Sequence, residues 1–476
     1  TFGVSAVTDV SIAADTAIGS IAFSAGADPF TIRTTPGPND ITLTVSGTGI
    51  TNDSGIAQNL ALETNANDHG SAIAFTRTAT VGPLTTITLE GNSSGKAFWG
   101  ASTVFNDQCS AGDGTFYSLG SSVPVSYGGA TYFFGDSTAG EATLTSDGGA
   151  VSGAGGGTIW FWDNSTAGDA VITCNGGTVA GAGGGFISFT SESSTGHATL
   201  IANGGLNGGG GGQILFGGDR TLESTQPRVQ IYGNGVLSIF DAESATVQVG
   251  SIEGDGIVTL GGKELIVGAN GLSTTFTGTI NGIHGGHALT KIGDGTLTLS
   301  GANTYTALTT VSEGTLVLAN TTGSATGTGG VTVNGGTLGG SGIIGGAVTI
   351  ATGAVLAPAA GSNTQATLTT QSTLSLQTNA TYKCTAQARG QQVRADKVVA
   401  NGVTITGGKF SFKPRISGTL QAGTAFTVIG NTSTSPIHGT FSNLPDGAII
   451  TSGGANFQAS YEGGDNGNDL TLTVVP

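Results

Sequence analysis

Three ten-residue stretches, Gly140–Gly149, Gly168–Gly177 and Gly196–Gly205, repeat one another at a constant 28-residue offset. The same offset links Phe105, Phe133, Phe161 and Phe189, so one aromatic ring recurs in a single register through four successive units. A fixed period of this kind restricts the chain to architectures in which each unit packs on its neighbours. Within a unit, short β-branched and aromatic runs such as Gly157–Trp162 alternate with glycine-rich corners such as Gly153–Gly157. Strands supply the sides and glycines the bends, which describes one coil of a β-solenoid. Equivalent residues then stack about 4.8 Å apart. The four phenylalanines become an internal ladder, a packing device rather than a site.

Composition narrows the choice further. Glycine supplies 86 of 476 residues without the every-third spacing of collagen, and apolar residues come in short runs, so the chain is ordered and poor in helix. No apolar stretch approaches the roughly 18 residues of a membrane helix, so no transmembrane segment is expected. The start at Thr1 lacks the parts of a signal peptide, and methionine is absent throughout, which reads as a processed mature product. Lys plus Arg number 14 against 30 Asp plus Glu, a formal charge of −16. Lys96, Lys263, Lys291, Lys383, Lys397, Lys409 and Lys413 are scattered, which argues against nucleic acid as a partner. The acidic surface suits solubility and divalent-cation association. Three cysteines are too few for a disulfide framework. Cys174 takes the repeat position of Ser146 and Ala202 and reads as a small packed residue; Cys109 does not precede it by a whole number of coils, so a stacked pair is not expected.

Texture divides the chain into residues 1–100, strand-like with irregular spacing; 101–221, the regular 28-residue repeat; 222–380, shorter coils; and 381–476, a distinct all-β module holding 7 of the 14 basic residues. The fold class is therefore all-β, a right-handed parallel β-helix with a C-terminal capping module. Residues 1–380 are expected to form one solenoid of about 65 Å.

Leu289–Leu318, which contains Thr290-Lys291-Ile292-Gly293-Asp294-Gly295 and Asn303-Thr304-Tyr305, closely resembles the autotransporter-associated β-strand repeat, or passenger-associated transport repeat. Ala307 departs from the glycine usual there, which predicts an altered corner. Gly439–Gly447 and Tyr461–Val475 are similar to the end of such passengers, and Leu43–Gly55 and Ser165–Gly168 recur in the same family. The resemblance implies a parallel β-helical passenger, extracellular or on the surface of a diderm bacterium after removal of a signal peptide. It does not imply one activity, since passengers include adhesins, biofilm components, proteases and lipases. The ending Val474-Val475-Pro476 resembles the start of a Val-Pro-Glu-Pro sorting signal. Removal of such a tail and a shortened chain explain it equally.

Residues that could carry chemistry are few. Gly91-Asn92-Ser93-Ser94-Gly95 matches a nucleophile-elbow pattern but precedes no helix pattern, and it reads as a turn. His69, His197, His284, His287 and His438 are dispersed, and His284-Gly-Gly-His287 reads as a solvated loop. Gly463–Leu470 reads as a polar turn rather than a calcium loop. Asp107, Asp136, Asp163 and Glu192 follow the ladder by two or three residues. Stacked on adjacent coils they would repel unless solvated or bridged by calcium, and a hydrated edge is the preferred reading, with no cofactor expected. Tyr132, Trp160 and Trp162 flank the ladder positions and should face outward. They could bind carbohydrate or another chain, or be covered by a neighbouring loop or protomer.

Two function classes follow. The preferred one is a non-enzymatic extracellular rod that assembles end to end with copies of itself into a fibre, with a monomeric adhesin binding surface glycans or neighbouring cells as the alternative. The other is a β-helical polysaccharide-degrading enzyme, which needs acidic and basic groups converging on one groove, whereas residues 97–218 contain no Lys or Arg.

Overall fold

The computed structural model describes all residues except 96–99, 219–225, 283–284, 363 and 390–391. Lys96, His284 and the textural boundary near 221 therefore lie outside the described residues. The chain divides into two compact units, Thr1–Lys263 and Glu264–Pro476. Every regular element among the described residues is a β-strand.

In the first unit, strands of successive coils pair in parallel along two faces. One face runs from Thr16–Phe23 through Ser102–Phe105, Ala130–Phe133, Thr158–Phe161 and Phe186–Phe189 to Ile257–Thr259. The other runs from Asp9–Ile12 through Thr115–Ser118, Thr143–Ser146, Val171–Cys174 and Thr199–Ala202 to Ser251–Gly254. A third edge is marked by single bridges linking Thr80, Ser110, Thr138, Thr166 and Ser194. This is a parallel β-helix. Because side chains alternate across a strand, Ile159 and Phe161 enter the core while Trp160 faces out. Coil length is read from the register: Thr115 pairs with Thr143 across a full repeat, whereas Gln213 pairs with Val236 across a shorter coil.

The corners explain much of the glycine. Gly140, Gly168 and Gly196 repeat at positive φ of 62°, 59° and 53°. A Cβ on Gly148 would come within 2.3 Å of the Gly176 backbone on the next coil, so no side chain fits there.

In the second unit, parallel coils continue from Thr296–Leu299 through Thr315–Leu318, Thr337–Gly340 and Val355–Ala357 to Thr381–Arg389 and Lys409–Ser417. The closing strands Ala425–Asn431, Asp469–Val475, Ala455–Gly463 and Ile449–Ser452 pair antiparallel, whereas the strands from residue 381 to 417 still include parallel coil pairing. Ala307 is absent from the residues at positive φ, so the alanine sits there without backbone strain.

Candidate functional site

The four ladder phenylalanines lie inside the first unit, fully or almost fully buried. Phe105 stacks on Phe133 at 4.8 Å, Phe133 on Phe161 at 4.6 Å and Phe161 on Phe189 at 4.7 Å, with interplanar angles of 4–7°. The stack also takes in Phe75, 4.8 Å from Phe105, and a tilted Phe216, 5.6 Å from Phe189. Neither was legible at a 28-residue offset. The coil joining Phe75 to Phe105 is slightly longer than the repeat and the one joining Phe189 to Phe216 slightly shorter, and the signal that finds both is a phenylalanine closing each strand.

On the opposite face of the same strands stands the candidate contact surface. Tyr132 and Trp160 share one register on adjacent coils, and both are half-buried, as is Trp162. Trp160 stacks on Trp162 at 5.6 Å and 17°, and meets Phe186 at 5.2 Å; Tyr132 stacks on Phe134 at 5.9 Å and 18°. Residues i and i+2 of a strand point the same way about 6.6 Å apart, so planar rings there lie face to face and stand upright from the sheet. Burial by these neighbours pushes the Tyr132 phenol above its ordinary pKa. Two polar atoms beneath the row, Trp160 Nε1 and Ser188 Oγ, are buried without a hydrogen-bond partner among the described residues. Ser188 occupies the Trp160 register on the next coil. The arrangement offers an apolar ridge with unpaired polar groups under it, suited to contact rather than to proton transfer.

The acidic edge differs from the expectation of like charges on adjacent coils. The turn brings positions 107, 135, 163 and 191 into one row, where Asp107, Asp163 and Ser191 adopt the left-handed φ values of 57°, 52° and 54° and Gly135 takes 63°. Aspartate tolerates that conformation better than most residues. Asp107 and Asp163 thus lie two coils apart with a glycine between them. Asp136 and Glu192 lie one position further on, with Asn164 between. The offsets of two and three residues after each phenylalanine distribute the carboxylates over two rows. The aspartates hold turns: Asp107 Oδ2 accepts from Arg77 N at 2.7 Å, Asp163 Oδ2 from Gly135 N at 3.0 Å, and Asp136 Oδ1 from Asn164 Nδ2 at 3.2 Å.

The remaining candidates are dispersed. Ser94 Oγ donates to Asp68 and Asn92 in a side-chain turn. His69 and His197 sit beside Asp40 and Asp169 at 3.4 and 3.8 Å, and His438 is exposed. His287 corrects the solvated-loop reading: it is 1% exposed, because its ring lies on Gly282, where a Cβ would come within 2.1 Å of it. In the Gly463–Leu470 turn, Asp469 Oδ1 accepts from Asn431 N at 2.8 Å. Cys109, Cys174 and Cys384 are buried free thiols; burial pushes all three up, Cys174 and Cys384 most strongly. Lys291 also departs from the picture of scattered surface charge. It is buried, its ammonium donating to Ile292 O at 2.6 Å and Gly293 O at 2.7 Å, and burial pulls its pKa down.

Lys291 and the buried Tyr305, whose hydroxyl lies 2.7 Å from Thr309 Oγ1, belong to a segment whose four strands enter the parallel coils. Residues 289–318 match the family described as the passenger-associated-transport-repeat. Over that segment the chain is similar to autotransporter passengers. No curated protein matches it. Among solved structures, the Haemophilus influenzae Hap adhesin is similar at 11% identity and a TM-score of 0.27, over 97% of this chain and 63% of its own. The chain thus spans less than two thirds of that adhesin's length. No helix among the described residues is long and apolar enough to cross a membrane.

Proposed function

We propose that this passenger-like protein works outside the cell by contact, as a non-catalytic β-helical scaffold of the adhesive kind. The observation that carries the reading is the upright aromatic row of Tyr132, Phe134, Trp160, Trp162 and Phe186 on the outer face of the regular coils. Around it the aspartates serve as acceptors in hydrogen bonds between coils, and Arg77, which lines one shallow depression with Asp107 and Asp136, is joined to Asp107 through its backbone N–H. Homotypic assembly into a fibre is the second reading. It is favoured by the same half-buried rings, whose apolar faces a second copy of the chain would cover.

One experiment addresses both. Wild type and a Trp160→Ala/Trp162→Ala variant are compared by sedimentation at high concentration, by binding to a panel of uncharged polysaccharides other than dextran, and by turnover of that panel with and without calcium. The variant is expected to fold and to lose binding or self-association by about tenfold or more, the scale of aromatic anchors. Turnover abolished by one Asp or Glu substitution would replace this reading with an enzyme.

A further inference from the structure

In the second unit, Thr381–Arg389 and Lys409–Ser417 pair in parallel over nine residue pairs. Alternation buries Tyr382, Cys384, Phe410 and Phe412 and turns the basic residues to the other side. Thr385 lies beside Lys413, Gln387 beside Arg415 and Lys383 beside Ser411, and the antiparallel strand Gln392–Ala395 places Arg394 opposite Gln387. With Ala357, Ala359, Ala360, Ser362, Thr364 and Gln365, this face encloses a cavity of about 410 Å³ lined by Lys383, Lys413, Arg415, Thr385 and Gln387. One carboxylate lines it, and its oxygens are committed: Asp396 Oδ2 accepts from Thr385 N at 2.7 Å and Thr385 Oγ1 at 2.9 Å, and Oδ1 from Ala366 N at 3.1 Å. Among the described residues, the ion pairs found leave Lys383, Lys413 and Arg415 unpaired. Two strands separated by a whole coil of sequence thus gather cations that read as scattered along the chain.

We infer that this cavity binds an acidic polysaccharide, with Lys383, Lys413 and Arg415 holding its carboxylate or sulfate groups. Arginine offers a planar fork to such an anion and lysine a point charge. Lys413 and Arg415 are about 6.6 Å apart along the strand, with the next strand about 4.8 Å away. That density suits one charge per sugar or two better than duplex DNA, with one charge per about 1.7 Å. Thr385, Gln387 and Ser411 intersperse groups that pair with sugar hydroxyls, while the rings of Tyr382, Phe410 and Phe412 point inward, where no base can stack on them. The site is separate from the aromatic row and stands or falls independently of it.

The test measures binding of the full chain to immobilised heparin, alginate, neutral dextran and duplex DNA near physiological salt. Binding to heparin, alginate or both, and not to dextran, is expected; the pair tells sulfate from carboxylate. Lys413→Glu and Arg415→Glu should each weaken it at least about tenfold, with Lys413→Gln as the milder variant if charge reversal impairs folding. Lys263→Glu, which changes the net charge equally in the other unit, should change it less than about twofold. The Trp160→Ala/Trp162→Ala variant should bind these glycans like wild type. Equal losses from Lys413→Glu and Lys263→Glu, equal binding to dextran, a preference for DNA, or no binding to either acidic glycan would overturn the inference.

Discussion

Individual side chains here are defined by the rung above and the rung below. Phe161 lies between Phe133 and Phe189 with nearly parallel rings and is fully buried. Phe161→Asp removes two stacking contacts and places a carboxylate in an apolar shaft. Its expected cost is on the order of 4 kcal/mol or more, read as a drop in the urea midpoint. Cys109 shows the same logic in a different ladder. It stands in a row between Ala79 on the coil before and Ser137, Ser165 and Ser193 on the coils after, all buried, so its size and not its thiol suits the position.

Successive elements are tied together by polar ladders as well as by strand pairing. At the corner after the second face, Asn175 Nδ2 donates to Asp147 Oδ1 at 2.7 Å, and Asn203 Nδ2 donates to Asn175 Oδ1 at 2.8 Å. The Asn175 amide is donor to the coil before and acceptor from the coil after. Asn175→Ala breaks both links and leaves partly buried partners unpaired, an expected loss of about 1–3 kcal/mol by chemical denaturation with the fold retained. The 28-residue repeat made these corners legible. The ladder itself required knowing that the Asp and Asn side chains turn along the axis toward one another rather than into solvent.

Over the whole molecule, charge and stability are unevenly distributed. Residues 1–263 hold twenty-two of the carboxylate side chains against six Lys and Arg, whereas residues 264–476 hold eight of each, so the whole formal charge of −16 belongs to the first unit. The second unit concentrates buried phenols. Burial raises the pKa of Tyr305 and Tyr382 and pushes Tyr461 up to about 12. A group whose folded pKa is raised contributes stability that is complete below its unfolded value and lost as pH rises toward the folded one. Stability should therefore decline from about pH 10 to about pH 12 as phenols of the unfolded chain ionise first. Tyr461→Phe should flatten part of that decline, on the order of 2 kcal/mol, in urea titrations at successive pH values.

Sequence alone determined the coil. A constant offset makes equivalent residues neighbours in an in-register parallel stack, so period and alternation together specify which side chains enter the core and that Trp160 faces away from it. Tertiary structure decided the rest, because hydrogen bonding fixes register between coils while corners absorb insertions and deletions, and sequence spacing then stops reporting who stacks on whom. That is how Phe75 and Phe216 join the ladder from coils longer and shorter than the repeat. It is also why Lys383, Lys413 and Arg415 meet at one cavity while Lys291 and His287 vanish from the surface. Burial of a polar side chain depends on what the neighbouring coil lays over it, which no local pattern records.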